Sequence, residues 1–106
     1  MITIINRDYI YEKVNSTFCN AHQVVLGTIL GKTMGDVWGH DTFQNIIKRN
    51  VDICFSGKTV QYEATFMTPL SGKRHFEVVF RPLSVEFLHL QADYFLEHSW
   101  QKNTPV

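Results

Sequence analysis

The residues of this chain that could do acid–base chemistry are few and scattered. His40 and Asp41 stand side by side ahead of a helical stretch, and Glu63, His75 and Glu77 lie in two alternating stretches further on. A catalytic acid or base has to converge with its partner on one pocket. Glu63, His75 and Glu77 instead fall on the phase opposite Tyr62, Phe66, Phe76 and Phe80, which aims them at water or a partner. No catalysis of the chain's own is expected; a small α+β hydrolase or isomerase is the alternative. Cys19 and Cys54 have no CxxC or Cys/His ligand spacing, so no metal site is expected, and each lies among apolar residues at helical spacing. With nothing cationic nearby to lower their pKa, they are expected to be small buried hydrophobes. The aromatic content is the most suggestive feature. Phe18, Trp38, Phe43, Tyr62, Phe66, Phe76 and Phe80, with Ile47, could line an apolar pocket for a small metabolite, or they could fill a core.

The elements that would position these residues can be read from period and punctuation. Residues 2–5 and 9–14 are β-branched and aromatic runs, and Arg7-Asp8 between them suggests a hairpin. Asn15-Ser16-Thr17 is rich in capping residues and leads into a short helix carrying Phe18, Cys19, Ala21 and His22. Glycines at 27, 31, 35 and 39 recur too often for one long helix and suit single turns joined by loops. Asp41 with Gln44 reads as a capping box for the main helix over 41–55, whose Phe43, Ile46, Ile47, Asn50, Val51 and Cys54 share a face. Ser56-Gly57 ends it. The period then changes to two: Val60, Tyr62, Ala64 and Phe66 make one strand, and Phe76, Val78 and Phe80 another beyond a turn at 69–72. A fifth strand is expected over 85–91, with a slip at Phe87-Leu88. The fold class is α+β: a five-stranded antiparallel sheet with helices packed on one face.

Composition sets the outer limits. The 106 residues suit one domain, and 44% apolar with 19% charged residues is a globular balance. Ten Lys+Arg offset ten Asp+Glu, so there is no basic footprint for a phosphate backbone and nucleic acid is not an expected partner. Apolar stretches such as Val24-Val25-Leu26 fall far short of a membrane span, and no basic region precedes an apolar run at the N-terminus. With two thiols and no disulfide framework, a cytoplasmic setting is expected.

Tyr9-Ile10-Tyr11-Glu12-Lys13-Val14-Asn15, Phe18-Cys19, Leu30-Gly31-Lys32-Thr33 and Asp36-Val37-Trp38 follow one another in an order that resembles PAS domains of bacterial signalling proteins. Ser56-Gly57-Lys58 before Val60-Gln61-Tyr62-Glu63, Ser71-Gly72-Lys73-Arg74 before the next strand, and Arg81-Pro82 at its end continue the likeness over roughly residues 2–83. The resemblance implies a sheet cradling helices, a cavity between sheet and main helix, and a sensing or dimerising role that regulates a histidine kinase or a cyclic-nucleotide output domain, in cis or in trans.

It also frames the cofactor question. Haem-binding PAS domains use a histidine on the main helix, which makes His40 the haem alternative, with His22 a second axial candidate. Flavin-binding relatives carry a reactive cysteine in an Asn-Cys-Arg-Phe type motif that neither Cys19 nor Cys54 matches, so no cofactor is expected. The pattern departs after Pro82: Leu83-Ser84 is very short, and Ala92-Asp93-Tyr94-Phe95 stands where relatives have a strand ending in Asp-Ile-Thr. The domain is therefore assigned to residues 1–92, with 93–106 as a tail or the start of a linker. Val79 and Met67 on the outer sheet face, and Leu88, Leu90, Tyr94, Phe95, Leu96 and Trp100 near the end, suggest a homodimer. The alternative is that the tail folds back onto its own domain.

Overall fold

The computed structural model describes residues 2–15, 29–68, 72–84 and 92–102. Strands β1 (Ile2–Asn6) and β2 (Tyr11–Val14) form the expected hairpin, with Ile4 opposite Lys13. Its turn is built by Asn6, whose Oδ1 accepts from the backbone N–H of Asp8 at 2.9 Å and of Ile10 at 3.2 Å. Tyr9 closes it at φ +64°, a left-handed conformation uncommon for a bulky residue. The short helix expected around Phe18, Cys19 and His22 lies outside the described residues.

Helix α1 (Met34–Trp38) starts at Thr33, whose hydroxyl accepts from Asp36 N–H at 3.1 Å. It stops at Gly39, where φ is +97°, and α2 (His40–Thr42) follows at once. A π-helical stretch (Phe43–Ile47) and α3 (Lys48–Phe55) complete the main helix. The expected capping box is not formed. The helical run begins one residue before Asp41, at His40, and its N-cap Gly39 has no side chain to accept a bond. The wider turn is the other difference from a regular helix. Just beyond it Asn50 Nδ2 donates to the Ile46 carbonyl at 2.8 Å, a side-chain bond where the ladder returns to the α pattern. Phe43, Ile47, Val51 and Cys54 are buried, as their spacing requires.

Strands β3 (Val60–Thr68), β4 (Gly72–Leu83) and β5 (Tyr94–Gln101) complete one antiparallel sheet in the order β2-β1-β5-β4-β3. The strand expected over 85–91 lies outside the described residues. The fifth strand of the sheet is Tyr94–Gln101, in the segment read as tail or linker, and it is the central one, paired with β1 and β4. The tail thus folds back as a strand, so the sheet extends past the boundary placed after residue 92. Two backbone bonds deliver it there: Ala92 N–H donates to the Phe55 carbonyl at 2.9 Å, and Asp93 N–H to that of Leu83 at 3.1 Å.

The core lies between the main helix and the inner sheet face. Phe80 and Phe95 are fully buried with ring centroids 4.8 Å apart, and Phe55 packs on Phe95 at 5.3 Å. Each such ring removed from water contributes roughly 1.5–3 kcal/mol. At one edge of this core, Tyr9 packs edge-on against Phe43 at 5.0 Å and donates its hydroxyl to Asp52 at 2.7 Å, while Lys48 holds the other Asp52 oxygen at 2.7 Å. The hairpin is thereby clamped to the main helix.

Candidate pocket beneath the main helix

A small cavity lies where the main helix and Trp38 cover the inner face of β3, β4 and β5. It is lined by Trp38, Ile47, Tyr62, Phe66, Phe76, Val78, Glu97 and Ser99, and its volume is about 10 Å³, room for about one water. Of the residues read as pocket candidates, Trp38, Ile47, Tyr62, Phe66 and Phe76 are brought together here. Phe43 and Phe80 are buried in the core away from that lining, and Phe18 lies outside the described residues. Trp38 is fixed by an indole N–H bond to the Tyr11 hydroxyl at 2.8 Å and by a tilted contact with Phe66 at 5.2 Å.

Sequence reasoning missed the polar end of this cavity. Glu97 and Ser99 point inward from β5, both 5% exposed. Thr3 on β1 lies opposite Glu97 and donates its hydroxyl to Oε1 at 3.0 Å. Burial pushes the Glu97 carboxyl up to about 7, although the Thr3 bond acts to lower it. Burial, and then the Glu97 charge, likewise raise the Tyr62 and Tyr11 phenols. A signal did exist in the sequence: Phe95, Glu97 and Ser99 alternate with Leu96, His98 and Trp100. By hydrophobicity alone, though, that pattern turns Leu96 and Trp100 inward.

The acid–base candidates are placed elsewhere. Glu63, His75 and Glu77 form an outer-face network with Lys102: His75 Nε2 is 3.4 Å from Glu63, Lys102 contacts Glu63 and lies 3.7 Å from Glu77, and Gln61 donates to Glu77. His40, the haem alternative, has a side chain 81% exposed, lies 3.8 Å from Asp36, and is not part of the cavity lining. The neighbouring Gly35 is buried, and a Cβ there would stand 3.1 Å from the His40 ring. Cys54 is buried with its thiol pushed up to about 11, the inert state expected of it; Cys19 and His22 lie outside the described residues. Among the described residues no group of three His, Cys, Asp or Glu could hold a metal ion, and no helix is long and apolar enough to cross a membrane.

Comparison with known proteins decides the family. The model of the PAS fold matches residues 1–87. The chain belongs to the PAS-fold family. This PAS domain is similar to a domain of an HTR-like protein from Haloarcula marismortui, with a TM-score of 0.71 and 15% identity over 94% of both chains. It is also similar to a domain of a sensory box sensor histidine kinase/response regulator from Geobacter sulfurreducens, with a TM-score of 0.72 and 18% identity over 91% of this chain and 77% of that one. The PAS-B domain of Drosophila melanogaster Cycle with bound ethylene glycol gives a TM-score of 0.76 at 9% identity, over 95% and 98% of the two chains. These likenesses show the five-stranded fold of the PAS domain. None of the curated proteins matches it.

Proposed function

We propose that this PAS domain is a cytoplasmic signal-transduction sensor without chemistry of its own, which takes a small ligand beneath the main helix and regulates a histidine kinase or cyclic-nucleotide output. The observation that carries the reading is the cavity itself, in which aromatic walls meet a buried carboxyl and a buried hydroxyl between sheet and helix. Small-ligand pockets combine an apolar lining with a few polar groups in this way. The similar Cycle PAS-B domain holds a molecule as small as ethylene glycol. The acid–base candidates read from the sequence, Glu63, His75 and Glu77, stand on the outer face, away from that pocket.

We also propose a homodimer through the outer sheet face. Ile2 and Trp100 are 44% and 38% exposed there, Ile4, Leu83, Tyr94 and Leu96 are half-buried, and a groove of about 360 Å³ runs past Ile4, Leu83 and Tyr94. Val79, read above as part of this face, is only 6% exposed, so Leu96→Asp is the sharper probe.

A mass spectrum of small molecules released from purified protein tests the sensor reading: one stoichiometric compound is expected, and its consistent absence counts against a ligand. Sedimentation at micromolar concentration is expected to show a dimer that Leu96→Asp converts to monomer. A monomeric parent chain would remove the dimer from the proposal.

A further inference from the structure

Glu97 is a charge-bearing group in a place that offers it little. One of its oxygens accepts from Thr3, and the other has no hydrogen-bond partner among the described residues. Among the described residues, the elements packed around it supply no cation. β1 gives Thr3, β2 gives Tyr11, β3 gives Tyr62, β4 gives Phe80 directly opposite, and Trp38 and Ile47 close the cavity from the helices. Glu63, His75, Glu77 and Lys102 are on the outer face. A buried carboxylate in such surroundings is stable only when a donor or a positive charge comes to it.

The rest of the cavity narrows what that visitor can be. Ser99 and Tyr62 bring hydroxyls to the same lining, and neither makes a hydrogen bond among the described residues. With the open Glu97 oxygen they make three acceptor positions. Trp38, Tyr62, Phe66 and Phe76 surround this end with aromatic rings, whose negative faces attract cations. The room is that of a single water-sized centre, so only one nitrogen fits, and Trp38 and Tyr62 are the half-buried members of the wall. An anionic ligand would be repelled here, and a wholly apolar one would leave the carboxylate unpaired.

We propose that the pocket is a site for the primary ammonium head of a small amine, held by Glu97 with Ser99 and Tyr62 and walled by aromatic rings. An ammonium group has three N–H donors for three acceptors and supplies the missing charge. The inference rests on the ligand-sensor reading and adds the chemical class. Because the cation binds the ionised carboxyl, binding also becomes pH-dependent: affinity falls as pH drops through about 7 and Glu97 takes up its proton.

The test is a titration of the ¹⁵N-labelled domain with methylammonium chloride against matched sodium chloride, with methanol as the neutral probe, read at the two indole N–H signals. Trp38 reports on the pocket, and Trp100, on the outer face, is the internal control. A saturable Trp38 shift at about pH 8.5 is expected, with affinity at least ~10-fold weaker at about pH 5.5 and loss of the shift in Glu97→Gln. That variant keeps the acceptor for Thr3 and removes a buried charge, so it should fold at both pH values. A shift that survives Glu97→Gln, or equal response to methanol and methylammonium, overturns the cation assignment while leaving a ligand pocket. No response to either probe, with no compound released from the purified protein, overturns both and leaves a cavity that holds water only.

Discussion

Strands β3 and β4 and strand β5 belong to one sheet yet distribute their side chains in opposite ways. In β3 and β4 the inward residues are Ala64, Phe66, Phe76, Val78 and Phe80, and the charged Glu63, His75 and Glu77 face out. In β5 the inward set is Phe95, Glu97 and Ser99, while Tyr94, Leu96 and Trp100 lie on the outside. The first pair obeys the rule that apolar side chains go to the core. The second breaks it at two of three inward positions, and it does so in the middle of the sheet, where a polar residue is hardest to hydrate. Local rules broken at such a place are the mark of a site more than of a scaffold. The same inversion leaves apolar surface on the outer face.

The largest effect that could break this comparison is loss of β5 itself. Ending the chain after Ala92 removes the strand between β1 and β4, and we expect no cooperative unfolding transition to remain. A truncated chain that still melts cooperatively would mean that β5 is an accessory. Next come the rings that join the two halves: Phe80→Ala and Phe95→Ala should each cost about 3–5 kcal/mol in urea unfolding. Because the rings touch at 4.8 Å, the double variant should lose less than the sum. A cost near zero at Phe95 would take β5 out of the core.

Glu97→Gln should act in the other direction, and only in one pH range. The folded carboxyl holds its proton up to about 7 against an ordinary value of 4.5, so the folded state binds more protons than the unfolded one between those values. Stability is therefore full below about pH 4.5, falls as pH rises to about 7, and stays low above it. Removing the charge should restore roughly 3 kcal/mol at pH 8 and nothing at pH 4. The smallest expected effect is at the clamp: Tyr9→Phe keeps the ring on Phe43, loses the bond to Asp52, and should cost about 1 kcal/mol.

What could be read from the sequence follows the same division. Period-two alternation placed β3 and β4 and their inner faces, and helical spacing placed Phe43, Ile47, Val51 and Cys54, because in both regions hydrophobicity and burial agree. The aromatic half of the pocket followed from those faces. The helix start was misplaced by one residue because glycine, not Asp41, occupies the N-cap. β5 was missed for two reasons. The family pattern stops short of it, the matched residues ending at 87. Its alternation, read by hydrophobicity, also points Glu97 and Ser99 at solvent. Only its partners β1 and β4 on either side show which face is inside.

The central claim is that an ionisable carboxyl from the middle strand is buried beneath the main helix. The most direct measurement is the ¹³C carboxyl NMR titration of Glu97, assigned by the signal missing in Glu97→Gln. A midpoint near 7 is the result expected of a carboxyl sealed in this pocket, and a midpoint near the ordinary 4.5 would show Glu97 in water and contradict the site.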